Sequence, residues 1–228
     1  MRFYNRQFWL RFWLPLTIFV FVGGTGLSIH FFPGPFDWRY RVVSGLASQI
    51  DNPAGYAYFC ATLCLVGAML APLGRYLQRA FTLSAPRTSG IAGRALTVGL
   101  LAMSVIGLER LYFRNLSAQI YKAHELIALV GFAGLFTGVL GFWLCLRHSV
   151  RGATLFVALG PFLGAIVSQA YLYFKPEPLG WVGPHWAELG IPVYLSFAFW
   201  EWVAAAGVFL YLYLLVALAP SPVERSRG

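Results

Sequence analysis

The chain has 228 residues, of which 59% are hydrophobic, 18% aromatic and only 11% charged, with a mean hydropathy of +0.67 and a formal net charge of +9. A soluble domain carries about a quarter charged residues, so this composition excludes the ordinary soluble class and indicates an integral membrane protein. No basic, aromatic-interleaved motif accompanies the positive charge, so nucleic acid is not implied as a partner.

Crossing a bilayer takes roughly 20 apolar residues at helical rise. Six such stretches stand at 12–32, 55–74, 93–113, 124–146, 153–174 and 191–218. They predict an all-α integral membrane protein, a six-transmembrane-helix bundle in one polytopic domain over 1–228, with a polar tail at 221–228. The first stretch follows Arg2, Arg6 and Arg11 but has no small-residue cleavage site, and reads as a retained helix.

"FPGPF" breaks the first span, and the stretch to Gly55, "FDWRYRVVSGLASQIDNPAG", is the least apolar part of its neighbourhood. In it Val42, Val43, Leu46 and Ile50 recur at helical spacing, opposite Arg41, Ser44, Ser48 and Gln49, which predicts a short amphipathic helix at the outer interface. Phe36 and Trp38 are interfacial aromatics. Asp51 or Asn52 is expected to cap the second span, with Pro53 in its first turn.

Small residues at four-residue spacing mark helix packing in the later spans: Cys60, Cys64 and Ala68; Ala95 and Gly99; Gly134 and Gly138; Gly160, Gly164 and Ser168. Pro15, Pro72 and Pro161 should each perturb a span, and the carbonyls they free need other partners. The linkers "RYLQRAFTLSAPRTSGIAGR", "RNLSAQIYK", "RHSVRG" and "KPEPLGWVGPHWAELG" are too short for a second domain.

With both termini on one side, eleven arginines against Glu224 share that side, and six basic residues against seven acids share the other. The excess of Lys and Arg on the cytoplasmic face then predicts cytoplasmic termini in the cell membrane, the inner membrane if the cell is Gram-negative. It also supplies the attraction to anionic head groups that accounts for the basic balance.

The run "RVVSGLASQIDNPAGYAYFCATLCLVGAML", with Ser-x-Leu-small, then Asn-Pro, then an aromatic and a Gly in the next span, together with "AHELIALVGFAGLFTGVLGF", resembles a bacterial family of six-helix membrane proteins of unknown function related in architecture to the Frag/DRAM/Sfk membrane proteins. The resemblance implies lipid-associated, accessory or regulatory work.

The chemistry-bearing residues gather on the outer side. Glu201, about ten residues into the last span and roughly 15 Å deep, is an intramembrane acid flanked by Trp200 and Trp202, expected to be paired, neutral or facing a wet cavity. Glu109, Arg110 and Arg114 close the third span, and His124 and Glu125 open the fourth. With residues 36–55 they are expected to wall one polar vestibule, with Arg39 or Arg41 near Glu109 or Glu125. Glu201, Glu109, His124 and Glu125 are the candidate catalytic groups. Arg39, Arg41, Arg110 and Arg114 are the candidate ligand-binding groups, since guanidinium takes phosphate or carboxylate bidentately. The histidines match no zinc spacing, the three cysteines lie inside spans, and no haem, retinal or other cofactor is implied.

The expected function is therefore a non-catalytic integral membrane protein that binds lipid, in particular anionic lipid, or a protein partner, as an accessory subunit of a larger membrane complex. The alternatives are a lipid-modifying enzyme using the outer carboxylates and His, and a small proton-linked transporter centred on Glu201.

Overall fold

The computed structural model describes residues 5–112, 123–174 and 185–220, and all regular structure among them is helical. The long helices are α1 (Arg6–His30), α2 (Tyr56–Phe81), α3 (Pro86–Tyr112) and α4 (Ala123–Leu146). They are followed by α5 (Val150–Val157), α6 (Gly160–Phe174), the single turn α7 (His185–Glu188) and α8 (Phe197–Leu218). Short 3₁₀ turns stand at Val43–Ala47 and Val193–Leu195. Six helical stretches, with α5 and the first part of α6 counted as one, are long and apolar enough to cross a membrane. Bulky apolar side chains point out of the bundle along them, including Phe19, Val22, Leu129 and Leu163. A helix apolar on every face is suited to lipid rather than water.

Helix ends depart from the apolar stretches wherever aromatic or amphipathic residues bury. α1 starts at Arg6 rather than 12, through a π-helical stretch at Trp9–Trp13. There Trp9 is fully buried against Tyr76, and the Trp13 indole Nε1 donates to the Met69 carbonyl at 2.7 Å. That carbonyl neighbours Ala68, whose own partner Pro72 removes. α2 runs on to Phe81 because Tyr76, Leu77, Ala80 and Phe81 all bury. The fifth span is two helices, parted at Ala158 and Leu159, with Pro161 in the first turn of α6, where a missing N–H costs nothing. α8 begins at Phe197 rather than 191, because Pro192 and the Val193–Leu195 turn precede it.

The most extensive pairings are α2 with α3 and α3 with α4. The small residues of α3 and α4 meet as their spacing predicts: a Cβ on Gly134 would stand 2.7 Å from the Gly99 nitrogen, and one on Gly138 2.7 Å from the Leu96 Cβ. Cys64 belongs to the α2–α3 contact, its carbonyl accepting the Ser104 hydroxyl at 2.9 Å. Gly164 faces the Trp200 ring, whereas Gly160 faces open space. The main core gathers Trp9, Leu70, Leu77, Leu96, Phe142 and Leu212. The first and last described stretches meet at one end of the bundle, where an Arg6 guanidinium nitrogen donates to the Ala217 carbonyl. The opposite end, called distal here, carries residues 31–55.

Candidate functional site at the distal end

Residues 31–55 form a fastened cap. Gly34, at φ +83°, makes the left-handed turn that carries the chain off α1. Four ties then bind the segment to the chain around the start of α8. The Tyr40 hydroxyl donates to the Ile191 carbonyl at 2.7 Å, and the Ser196 hydroxyl to the Arg39 carbonyl at 2.7 Å. The Trp202 indole donates to the Arg41 carbonyl at 2.8 Å, and the Val43 N–H to the Glu201 carboxylate at 2.8 Å. The Ser44 N–H and hydroxyl lie beside the same carboxylate. A fifth tie reaches α3, where the Gln49 amide donates to the Arg110 carbonyl at 2.8 Å.

Asn52 holds the segment to α1. Fully buried, its amide nitrogen reaches the Ser28 hydroxyl at 2.9 Å and the Leu46 carbonyl at 3.1 Å, while its Oδ1 accepts the Gly55 N–H at 3.1 Å. Gly55 has no room for a side chain, since a Cβ there would stand 2.5 Å from Asn52 Oδ1. The expected capping role of Asn52 therefore acts on the turn before α2, with Pro53 ahead of the helix rather than within it. The expected amphipathic helix is a five-residue 3₁₀ turn: Val43, Leu46 and Ala47 bury as its spacing requires, but Ser48 is extended and Ile50 is 90% exposed.

The charged candidates divide into separate groups. Arg39 forms a two-pronged pair with Asp37 at 2.8 and 2.9 Å. The Arg39 hydrogen bond holds the Asp37 carboxyl below its usual range, and the same pair raises Arg39. Arg41, half-buried, lies with its guanidinium carbon 4.8 Å from the centre of the Phe32 ring, and no carboxylate pairs with it among the described residues. Glu109 is only 4% exposed. Its Oε2 stands 3.3 Å from Arg110 Nε and 3.4 Å from His124 Nδ1, without a hydrogen bond of normal geometry. Arg110 Nε donates to His124 Nδ1 at 3.2 Å.

The expected meeting of Arg39 or Arg41 with Glu109 does not occur, because Asp37 is two residues from Arg39 and Arg110 adjoins Glu109. Among the described residues no arginine pairs with Glu201. It is the fifth residue of α8, about 6 Å along the helix axis, rather than about ten residues into a helix that starts at 191. Arg114 and the Glu125 side chain lie outside the described residues, as does the tail at 221–228. Among the described residues no three His, Cys, Asp or Glu side chains converge as a metal set would.

Beneath the cap a groove of about 640 Å³ runs between α1 and α8, walled by Thr25, Gly26 and Ile29 on one side and Trp202, Phe209 and Tyr213 on the other. The Thr25 hydroxyl, on a side chain 5% exposed, has no hydrogen-bond partner. The groove had no signal in the sequence, because it comes from the separation of the first and last helices. Asn52 had one: an Asn-Pro pair between two apolar spans marks a turn that a buried amide can serve.

Comparison with protein families, curated proteins and solved structures finds no match to the chain.

Proposed function

We propose that this chain is a non-catalytic integral membrane protein, embedded through its six apolar helices, which holds the head group of an anionic lipid at its distal, outward-facing end. The termini are then cytoplasmic and the membrane is the cell membrane. The observation that carries the reading is Arg41, a half-buried guanidinium on a firmly fastened segment that makes no close ion pair among the described residues, the only carboxylate that feels its charge being Asp37, already held by Arg39. Such a group is costly to keep near a low-dielectric boundary unless an anion meets it, and phosphate matches its fork of donors. The likeness of the 41–70 run to the six-helix family related to the Frag/DRAM/Sfk membrane proteins belongs to the same proposal.

The test is the phospholipid retained after purification in mild detergent. Arg41→Gln should lower the ratio of anionic to zwitterionic lipid. Arg39→Gln should leave the ratio alone, because Asp37 already neutralises Arg39. Unchanged ratios in both variants would sink the reading. A stoichiometric protein lost with the Arg41 substitution would instead identify an accessory subunit.

A second reading, a lipid-modifying enzyme, is favoured by the buried Glu109 beside His124 and Arg110, a carboxylate and imidazole spaced as a base and its orienting group can be. Loss of head-group turnover in Glu109→Gln would support it. Glu201, committed to the Val43 N–H near the start of α8, does not support a carrier centred on it.

A further inference from the structure

We infer that the groove between α1 and α8 seats one acyl chain of an anionic phospholipid whose head group meets Arg41, an assignment that rests on the reading above and extends it to the lipid's tail. An open groove of about 640 Å³ runs along the two spanning helices. Its walls are apolar apart from Thr25 and Tyr213, which disfavours water as the filling. Its volume lies within the range of roughly 300–1,000 Å³ found for ligand pockets.

The groove leads to the unpaired charge. Trp202 lines it and donates to the Arg41 carbonyl. The Phe36 ring stands 5.8 Å from that of Trp202, the Phe32 ring 5.1 Å from Phe36, and the Arg41 guanidinium covers Phe32 at 4.8 Å. An apolar slot walled by Trp202, with the Arg41 guanidinium two aromatic rings beyond it, matches a molecule with a long apolar tail and a compact anionic head. A helix from another protein would fill the slot but bring Arg41 no anion. A zwitterionic lipid would bring a phosphate already accompanied by its own cation.

Gly26 keeps the slot open. It lines the groove, and no atom lies within 4 Å of where its Cβ would be. Gly23, one turn earlier on α1, is equally unhindered but is not part of the lining. A large side chain at 26 should therefore fill the groove without moving backbone, and the same side chain at 23 serves as its control.

The full-length protein is reconstituted with phosphatidylglycerol carrying a photoactivatable diazirine at the end of one acyl chain, and in parallel with the matching phosphatidylcholine. In the wild type, labelling should concentrate on α1 and α8 and favour phosphatidylglycerol. Gly26→Phe should cut that labelling by about tenfold, equivalent to about 1.4 kcal/mol of affinity, while Gly23→Phe leaves it unchanged. Ala206→Phe fills the slot from the opposite wall and should act like Gly26→Phe, which guards against a folding defect in one variant. Labelling spread evenly over the lipid-facing helices, or undiminished in both filling variants, overturns the groove assignment. If Arg41→Gln alone erases the preference for phosphatidylglycerol, the head-group reading survives that loss. If the filling variants block labelling and Arg41→Gln leaves the preference intact, the groove holds a chain and the assignment of its head group to Arg41 falls.

Discussion

The Glu201 carboxylate accepts the Val43 N–H at 2.8 Å across 158 residues of sequence, so an acid from the last helix caps the first turn of a loop that follows the first one. Val42, the residue at the usual capping position, has no side-chain acceptor to offer, and Glu201 supplies it from outside. Glu201→Gln keeps an oxygen in place and should retain the turn. Glu201→Leu leaves a poorly hydrated N–H without a partner, at a cost of about 1–3 kcal/mol. Hydrogen exchange at residues 43–47 should accelerate in the Leu variant and stay close to wild type in the Gln variant.

Asn52 should be less tolerant. Its amide donates to Ser28 and Leu46 and accepts from Gly55 in a fully buried position. Asn52→Ala strands several groups at once and should lower stability in detergent by about 2–4 kcal/mol. Asn52→Asp should be worse despite its similar shape, because a carboxylate would face the Ser28 and Leu46 oxygens. Thermal unfolding of the two variants in one detergent ranks them.

The α3–α4 contact depends on backbone closeness at Gly99 and Gly134. Gly134→Ala would place a methyl group 2.7 Å from the Gly99 nitrogen, and the helices must part at a cost of about 1–3 kcal/mol. Gly160→Ala, into open space, should be nearly neutral. The difference in detergent melting temperature between the two checks this.

The Asp37–Arg39 pair gives the cap a small acid sensitivity. Arg39 depresses the Asp37 pKa in the folded chain, so the pair's contribution is complete above the ordinary Asp value of about 3.9 and is lost as pH falls through the depressed one. Loosening of residues 37–41 between about pH 5 and about pH 2, followed by exchange, should be larger in wild type than in Asp37→Asn. Both groups are substantially exposed, so the effect should stay local.

Orientation is tested by cysteine labelling in a variant lacking the three native cysteines. Ile50→Cys, 90% exposed at the distal end, should react with an impermeant reagent added outside cells. Ser84→Cys, exposed at the end where Arg6 meets Ala217, should be protected. The reverse pattern would invert the topology and every outward-facing assignment with it.

Six spans and the facing glycines of α3 and α4 were legible because each rests on local composition or four-residue spacing. Helix ends were less so. Trp9 and Tyr76 bury beyond the apolar runs, while residues 191–195 look like membrane helix and are held outside α8 by Pro192. That miscount put Glu201 about ten residues into the last helix instead of at its fifth residue. Arg41 was legible as a charge on the segment between the first two apolar helices, but its isolation from Glu109 depends on which acids lie beside the other arginines, a local matter that topology alone does not decide. The groove depends on two helices from opposite ends of the chain and leaves no periodic trace in either.

α1 and α8 are joined at one end by Arg6 on the Ala217 carbonyl and at the other by the ties from Ser196, Glu201 and Trp202 to residues 39–43. Between these fastenings the two helices touch through the Phe21 and Phe209 rings, whose centres are 5.0 Å apart, and the groove opens sideways along that contact. On the proposed membrane placement, an occupant of this groove would enter sideways from the plane of the bilayer, so how fast it fills should depend on the fluidity of the surrounding lipid more than on concentrations in the aqueous phase.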